Sequence, residues 1–493
     1  MTSKSHGLPA NSLNRFTYSS AFSALIATSA AEFHFWTGPD GNRGIDGGII
    51  YLCFPIMLIF LNTFAIEIYG FTEVISGTLK LLFLGVIMAF LIAINVGAGN
   101  EGYLGFKYWN SPVLLDSNSA NNWGTGFLIC LSIATFAYVG VEIVAASALE
   151  AQWPNNTHAD ARTPSDISQR SVDTLIGNTV KFSAKHISSL ATIVYSISGF
   201  LVSLDIPWND CYLPRLSWTK ETAGSDCSSP LGKKTADTTS AFVAIGLESG
   251  IHHIGHVFNA FLVFTCLSCA STQLYVASRT LFGLTSRLDG GEGQPWFLHA
   301  LAWIGRTNHR RVPVRAMVIS AAAFCWVPFL QLRGGTNSTT PIGMFVEILA
   351  QMSSVGVIIV WACEALAFIR YYHCIRRHRT VLEHQKVPQV RRWCDESYDD
   401  YPYRSHGQPV LAYVAFIGCL FILFVANGAS VWKKFHWFPF LASYITVMAF
   451  LVLWVALKLF RGSNWSFVDL SNPERVVRKI RDLHDVRLGA SSL

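Results

Sequence analysis

Charge is scarce in this chain. Asp, Glu, Lys and Arg make up 14% of its 493 residues, where a soluble domain carries about 25%. With 51% hydrophobic residues and 34 phenylalanines, that shortage places the sequence in the membrane class. The basic excess is small, 37 Lys and Arg against 31 Asp and Glu, which leaves no case for a nucleic-acid partner. Phosphate-cradling glycine loops, nucleophile–base constellations and metal clusters are missing too. Of the 11 cysteines, Cys53, Cys130, Cys266, Cys269, Cys325, Cys363 and Cys419 fall inside apolar runs and read as small hydrophobes. Cys266 and Cys269 are spaced C-x-x-C, but inside a predicted span, where a zinc or redox role does not fit. No apolar leader segment is seen in residues 1–15. These absences speak against an enzyme, a cofactor or a metal site, and for a multi-span carrier or channel.

What is present is length of apolar run. A spanning helix needs about 20 mostly apolar residues, and ten segments qualify: 17–36, 48–66, 76–97, 124–148, 187–205, 254–278, 314–332, 343–369, 410–431 and 438–460. Ser, Thr, Glu32 and His34 dilute the first, so it is expected inside a bundle and not facing lipid on all sides. Ten spans put both termini on one side. With the termini cytoplasmic, about three quarters of the Lys and Arg fall on inner segments, as the positive-inside rule requires. The run "RYYHCIRRHR" at 370–379 reads as a stop-transfer anchor beside anionic headgroups. The expected organisation is a cytoplasmic segment 1–16, a membrane domain 17–460 and a cytoplasmic tail 461–493. The outer loop 206–250 holds Cys211 and Cys227, a disulfide candidate on the oxidising side. Asn337 opens an N-S-T glycosylation acceptor.

Polar residues inside the spans carry the functional question. In "FAYVGVEIVAASALEAQWP", residues 136–154, Glu142 follows Gly140 at membrane depth, where a carboxylate costs at least a few kcal/mol. Two readings fit: a helix broken at Gly140 around a polar site, or an intact helix with Glu142 satisfied in a packed core. Lys80, at the start of the third span, either snorkels to the surface or is a buried ammonium able to lose its proton. His252, His253 and His256 sit at the outer mouth of the sixth span, more in keeping with an interface than with a metal. Glu364 and Arg370, six apart on one helix, do not face each other.

Several stretches resemble amino acid permeases of the amino acid–polyamine–organocation superfamily. "LYVASRTLFGLTSRLDGGEGQPWFLHALAWIGRTNHRRVPVRAMVIS" (274–320) is similar to that family's eighth-to-ninth helix region. Phe136, Gly140, Glu142, Glu150 and Pro154 are in register with its sixth-helix pattern. "IPWND" (206–210), "YPYRSHGQPVLAYVAFIGCLFILFVANG" (401–428), "FLASYI" (440–445) and "WSFVDL" (465–470) resemble the seventh, eleventh and twelfth helices and the tail of the fungal branch.

The resemblance implies an all-α membrane fold of the five-plus-five inverted-repeat type. The ten spans would correspond to family helices three to twelve. It implies proton-coupled symport of amino acids across the plasma membrane, with amino acid, protons and the lipid bilayer as partners and the oligomeric state open. Phe136, Ala137, Tyr138, Val139 and Gly140 would line the substrate in an unwound segment. Glu142 would be a gate-side, proton-sensitive carboxylate. Lys80 would match a fifth-helix lysine that faces the first helix in place of a coupling sodium. No G-[ST]-G segment precedes residue 17, so the expectation is that the first two family helices are lacking and that this chain alone transports poorly. The rival expectation is a non-transporting truncated permease or a membrane nutrient sensor.

Overall fold

The structure is a computed structural model. It describes residues 4–37, 43–64, 66–110, 120–144, 165–208, 240–286, 296–308, 312–326, 340–387, 407–432, 437–460 and 470–487, with isolated residues between them. All regular structure among these is helical. The α-helices are α1 (Lys4–Thr37), α2 (Arg43–Asn62), α3 (Ile66–Ala93), α4 (Trp123–Ala134), α5 (Ser165–Asp205), α6 (Ala241–Glu248) and α7 (Ile254–Thr285). They continue with α8 (Trp296–Ile304), α9 (Val314–Ala322), α10 (Thr340–Arg377), α11 (Arg379–His384), α12 (Val410–Phe421), α13 (Trp437–Phe460) and α14 (Pro473–Arg487). Each of the ten expected spans overlaps one of them, although α4 and α9 cover only the first 11 and 9 residues of the spans expected at 124–148 and 314–332.

Among the described residues, six segments are long and apolar enough to cross a membrane: Ile68–Ala98, Phe182–Asp205, Ile254–Thr285, Ile348–Arg377, Val410–Val431 and Pro439–Ala456. Tyr51–Asn62 and Trp123–Tyr138 are shorter apolar helices. The surface is apolar where a soluble protein would be charged. Phe71, Val74, Leu81, Leu82 and Val86 of α3 are exposed, as are Val410, Leu411, Val414 and Ile417 of α12 and Val452 and Leu459 of α13. Contiguous apolar surface on this scale is stable against lipid and not against water.

Helix α1 is the inverse case. From Thr17 to Ala24 every residue is buried, four of them serines or threonines that no lipid-facing helix would carry in such density. Its small side chains let α7 and α10 pack closely on it, the device by which membrane helices associate. Phe22 and Ile26 meet Leu274 of α7, Leu58 of α2 and Met317 of α9 in one apolar cluster. At the other end Phe35 joins Leu91 of α3, Leu201 of α5 and Phe258 of α7. Against α10 the contact is tighter still. A Cβ added to Gly356 would overlap the Thr17 hydroxyl and lie 3.1 Å from Thr17 Cβ, so only glycine permits this approach. The placement of the polar first span inside the bundle is therefore a structural fact.

Outside the bundle, α14 docks on the far end of α10. Val476, Val477 and Ile480 are buried against Cys374, Ile375, Leu382, Val387 and Val390. His378 Nε2 donates to the Leu470 carbonyl at 2.7 Å, and Arg481 Nη2 to the Gln385 carbonyl at 3.2 Å.

Candidate functional site

Helix α4 starts conventionally. The Asn122 side chain caps it by accepting from Thr125 N at 2.8 Å. It fails after Ala134. Residues Thr135–Tyr138 form a 3₁₀ turn, Val139 is extended (φ −61, ψ 122) and Gly140 has φ +110. Only glycine adopts that last conformation without strain, which locates the stop. Three-residue backbone bonds replace the helical ladder: Val139 N to Phe136 O (3.1 Å), Val141 N to Tyr138 O (3.2 Å) and Ile143 N to Gly140 O (3.1 Å). Of the two sequence readings of Gly140, the interrupted helix is the one the backbone adopts. Tyr138 leans away from the break, its hydroxyl 2.9 Å from Thr192 Oγ1 of α5.

Glu142, just past the break, is where three segments converge. Its Oε1 accepts from the Tyr18 hydroxyl of α1. Its Oε2 accepts from Trp361 Nε1 of α10 at 3.3 Å and from the backbone N–H of Gly140 at 3.2 Å. Three donors on one carboxylate satisfy its oxygens and offset the cost of holding a polar group at membrane depth. Glu364, one turn beyond Trp361 on the same face of α10, lies within electrostatic reach of both Glu142 and Tyr18.

Lys80 reaches across to α7. Its Nζ donates to Ser268 Oγ of α7 at 2.9 Å, and Ser268 Oγ donates to Ser76 Oγ at 3.2 Å. A turn away, Thr272 Oγ1 donates to Glu73 Oε1 at 2.8 Å. The stacked rings of Tyr69 and Tyr275 (4.6 Å) and the Arg279 guanidinium over Tyr275 (5.1 Å) extend the seam. The lysine thus sits in a polar strip between α3 and α7.

A third polar knot ties α4 to the irregular end of α12. Gln351 Nε2 donates to Ser132 Oγ (2.8 Å) and Asn427 Oδ1 (3.2 Å), and Ser132 Oγ donates to the same Asn427 oxygen (2.5 Å). There a π-helical turn Ile422–Ala426 passes into a 3₁₀ turn Asn427–Val431. Helix α12, too, is irregular at membrane depth.

The chain matches the amino acid permease family over residues 7–161 and 178–468. It belongs to that family. Among curated relatives of this permease are the dicarboxylic amino acid permease of Saccharomyces cerevisiae and the lysine/arginine permease of Candida albicans. The first is 23% identical over 88% of this chain and 61% of the relative, the second 26% identical over 93% and 67%. The proline-specific permease of Saccharomyces cerevisiae is 24% identical over 96% of this chain and 66% of its own length. This chain therefore spans about three fifths to two thirds of the curated relatives it matches.

Of the residues singled out in the sequence, Phe136 to Gly140 and Glu142 come together in one stretch, and Lys80 lies in a separate seam. Cys211, Cys227, Glu150, Pro154 and Asn337 lie outside the described residues. His253 precedes α7 in a left-handed conformation (φ 63), and His256 sits edge-on to Phe35 at 5.2 Å. Among the described residues no group of three or more His, Cys, Asp and Glu has metal-binding geometry. Sequence reasoning missed Tyr18, Trp361, Glu73 and Ser268. The spacing of Trp361 and Glu364, three apart on one helix face, was the available signal for the α10 side.

Proposed function

We propose that this chain is the membrane core of a secondary active transporter that carries amino acids by proton-coupled symport across the plasma membrane. The ends of the chain, residues 1–16 and 461–493, face the cytoplasm. The observation that carries the reading is the interruption of α4 at Thr135–Gly140. A broken helix leaves backbone N–H and C=O groups free at membrane depth, where they can meet the carboxylate and ammonium of an amino acid. Phe136, Ala137, Val139 and Gly140 line that site, and Tyr138 anchors it to α5. Relatives are named for acidic, basic and cyclic amino acids. The shared ligand is then the α-amino acid group, and side-chain choice rests on residues that differ among them.

Glu142 and Lys80 have separate roles. Glu142 stands at the inner end of the break and senses its geometry through Tyr18 and Trp361. Lys80 brings a basic group into the α3–α7 seam, where it is the second coupling residue, held by Ser268. The test is uptake of labelled amino acids into permease-deficient cells expressing this chain, with and without an inward proton gradient. Gradient-dependent uptake is expected. Amino acid binding to the purified protein without any uptake would overturn the transport reading.

A further inference from the structure

Helix α14 lies past residue 468, where the match to the permease family ends, and the transport reading gives it no part. It is amphipathic. Val476, Val477 and Ile480 form its buried face, while Arg475, Arg478 and Lys479 stand exposed. Its packing fixes its height. Cys374 and Ile375, which it touches, belong to the last turn of the spanning segment Ile348–Arg377, so α14 lies where that segment leaves the bilayer. Arg376, Arg377 and Lys386 are exposed on the same support. Against these six cations, Glu383 is engaged by Arg379 at 3.2 Å, and Glu474 is the other described carboxylate of this corner. Over its whole length α14 carries five Lys and Arg against three Asp and Glu. An open cleft of about 450 Å³ runs along it, lined by Gln385, Glu474, Val477, Arg478 and Arg481. Arg481 uses Nη2 on the Gln385 carbonyl and keeps further N–H groups, and Arg478 presents a planar fork of donors suited to a phosphate.

We propose that α14 and the end of α10 bind anionic phospholipid, with one headgroup phosphate held in the cleft between Arg478 and Arg481. The remaining exposed cations add attraction to the charged leaflet, which acts over about a Debye length of roughly 10 Å. An amphipathic helix at the membrane surface with a basic polar face has the composition that such lipid selects. Anionic lipid belongs to the cytoplasmic leaflet, so the proposal rests on the cytoplasmic placement of the tail given above. Bound lipid and the apolar seam favour the same position of α14, and the lipid therefore holds the tail against α10.

The probe is phosphatidylserine. The purified full chain is placed in nanodiscs of phosphatidylcholine, with or without phosphatidylserine, and hydrogen exchange of residues 470–481 is followed by mass spectrometry. Exchange should slow with phosphatidylserine by roughly fivefold for each basic residue that meets the lipid, and the slowing should shrink in high salt. The variant Arg475→Gln/Arg478→Gln/Lys479→Gln keeps Val476, Val477 and Ile480. It should match the parent in phosphatidylcholine and lose most of the slowing with phosphatidylserine. Equal exchange of the parent in both bilayers, the result that an acidic protein or nucleic-acid partner predicts, overturns the proposal. So does slowing that the triple variant retains in full. Equal slowing in phosphatidylcholine discs on adding inorganic phosphate assigns the cleft to a soluble anion and overturns it too. Should the triple variant exchange fast in phosphatidylcholine because α14 has undocked, Lys479→Gln alone decides. A smaller slowing supports the proposal, and an unchanged one sinks it. Both leaflets of a nanodisc carry the same lipid and nothing is transported, so failure of the transport reading, or of the cytoplasmic placement, leaves this outcome separate.

Discussion

Tyr18 and Glu142 stand 124 positions apart in sequence and meet through a hydrogen bond from the tyrosine hydroxyl to Oε1. The bond ties the most buried helix of the bundle to the segment just past its broken one. Trp361 reaches the other oxygen of the same carboxylate from α10, so the local geometry around Gly140 depends on both neighbouring helices.

Tyr18→Phe removes one of three donors from Glu142 without changing the packing volume. Hydrogen bonds to charged groups contribute about 1.5–3 kcal/mol, so a lower thermal midpoint is expected for the purified protein. Trp361→Phe should act the same way, and the double variant should be less than additive because both donors serve one acceptor. Strict additivity would mean the two bonds are not part of one arrangement.

Gly140→Ala tests the break itself. The nearest atom to a new Cβ is Ile143 Cδ1 at 3.5 Å, an ordinary contact, so space is not the obstacle. The obstacle is φ +110, which costs a residue with a Cβ roughly 1–2 kcal/mol. Amino acid binding by calorimetry should weaken while the protein remains folded. Unchanged affinity would show that the break tolerates a side chain.

For Lys80, the comparison is between Lys80→Met and Lys80→Arg. The first removes the charge from the α3–α7 seam, and the second keeps it on a group that does not deprotonate. If the lysine only anchors Ser268, arginine should rescue uptake; if it must lose a proton, neither variant should respond to the proton gradient. The second outcome is expected.

Gly356→Ala should destabilise the bundle strongly, by a few kcal/mol on the scale of overpacked cores, because its Cβ overlaps the Thr17 hydroxyl. Adding Thr17→Ala removes that hydroxyl and should recover part of the loss. Yield of monodisperse protein after extraction reads both. No recovery in the pair would mean that the α1–α10 approach is set elsewhere.

The tail offers a fifth check. Val477→Asp places a charge in the apolar contact between α14 and the end of α10. Limited proteolysis should then cut near residue 470 faster, with the melting of the membrane helices little changed. Equal protection of parent and variant would show that the docking does not persist in solution.

The helices were legible because hydrophobic runs of the right length leave few alternatives in a membrane chain. Burial of the first span was legible for a related reason, since serines and threonines in that density do not face lipid. Where α4 stops was only half readable. Gly140 permits a break, but the 3₁₀ turn from Thr135 depends on what α1, α5 and α10 present to it. Lys80 looked like a surface residue from its position alone, and its partner Ser268 is 188 positions away. Pairings across helices are set by packing angles that no local pattern records.

The docking of α14 has a consequence beyond stability. Helix α10 carries Trp361, a donor to Glu142, and meets α14 through Cys374 and Ile375 at its end, so one continuous helix is shared by the broken-helix site and the docked tail.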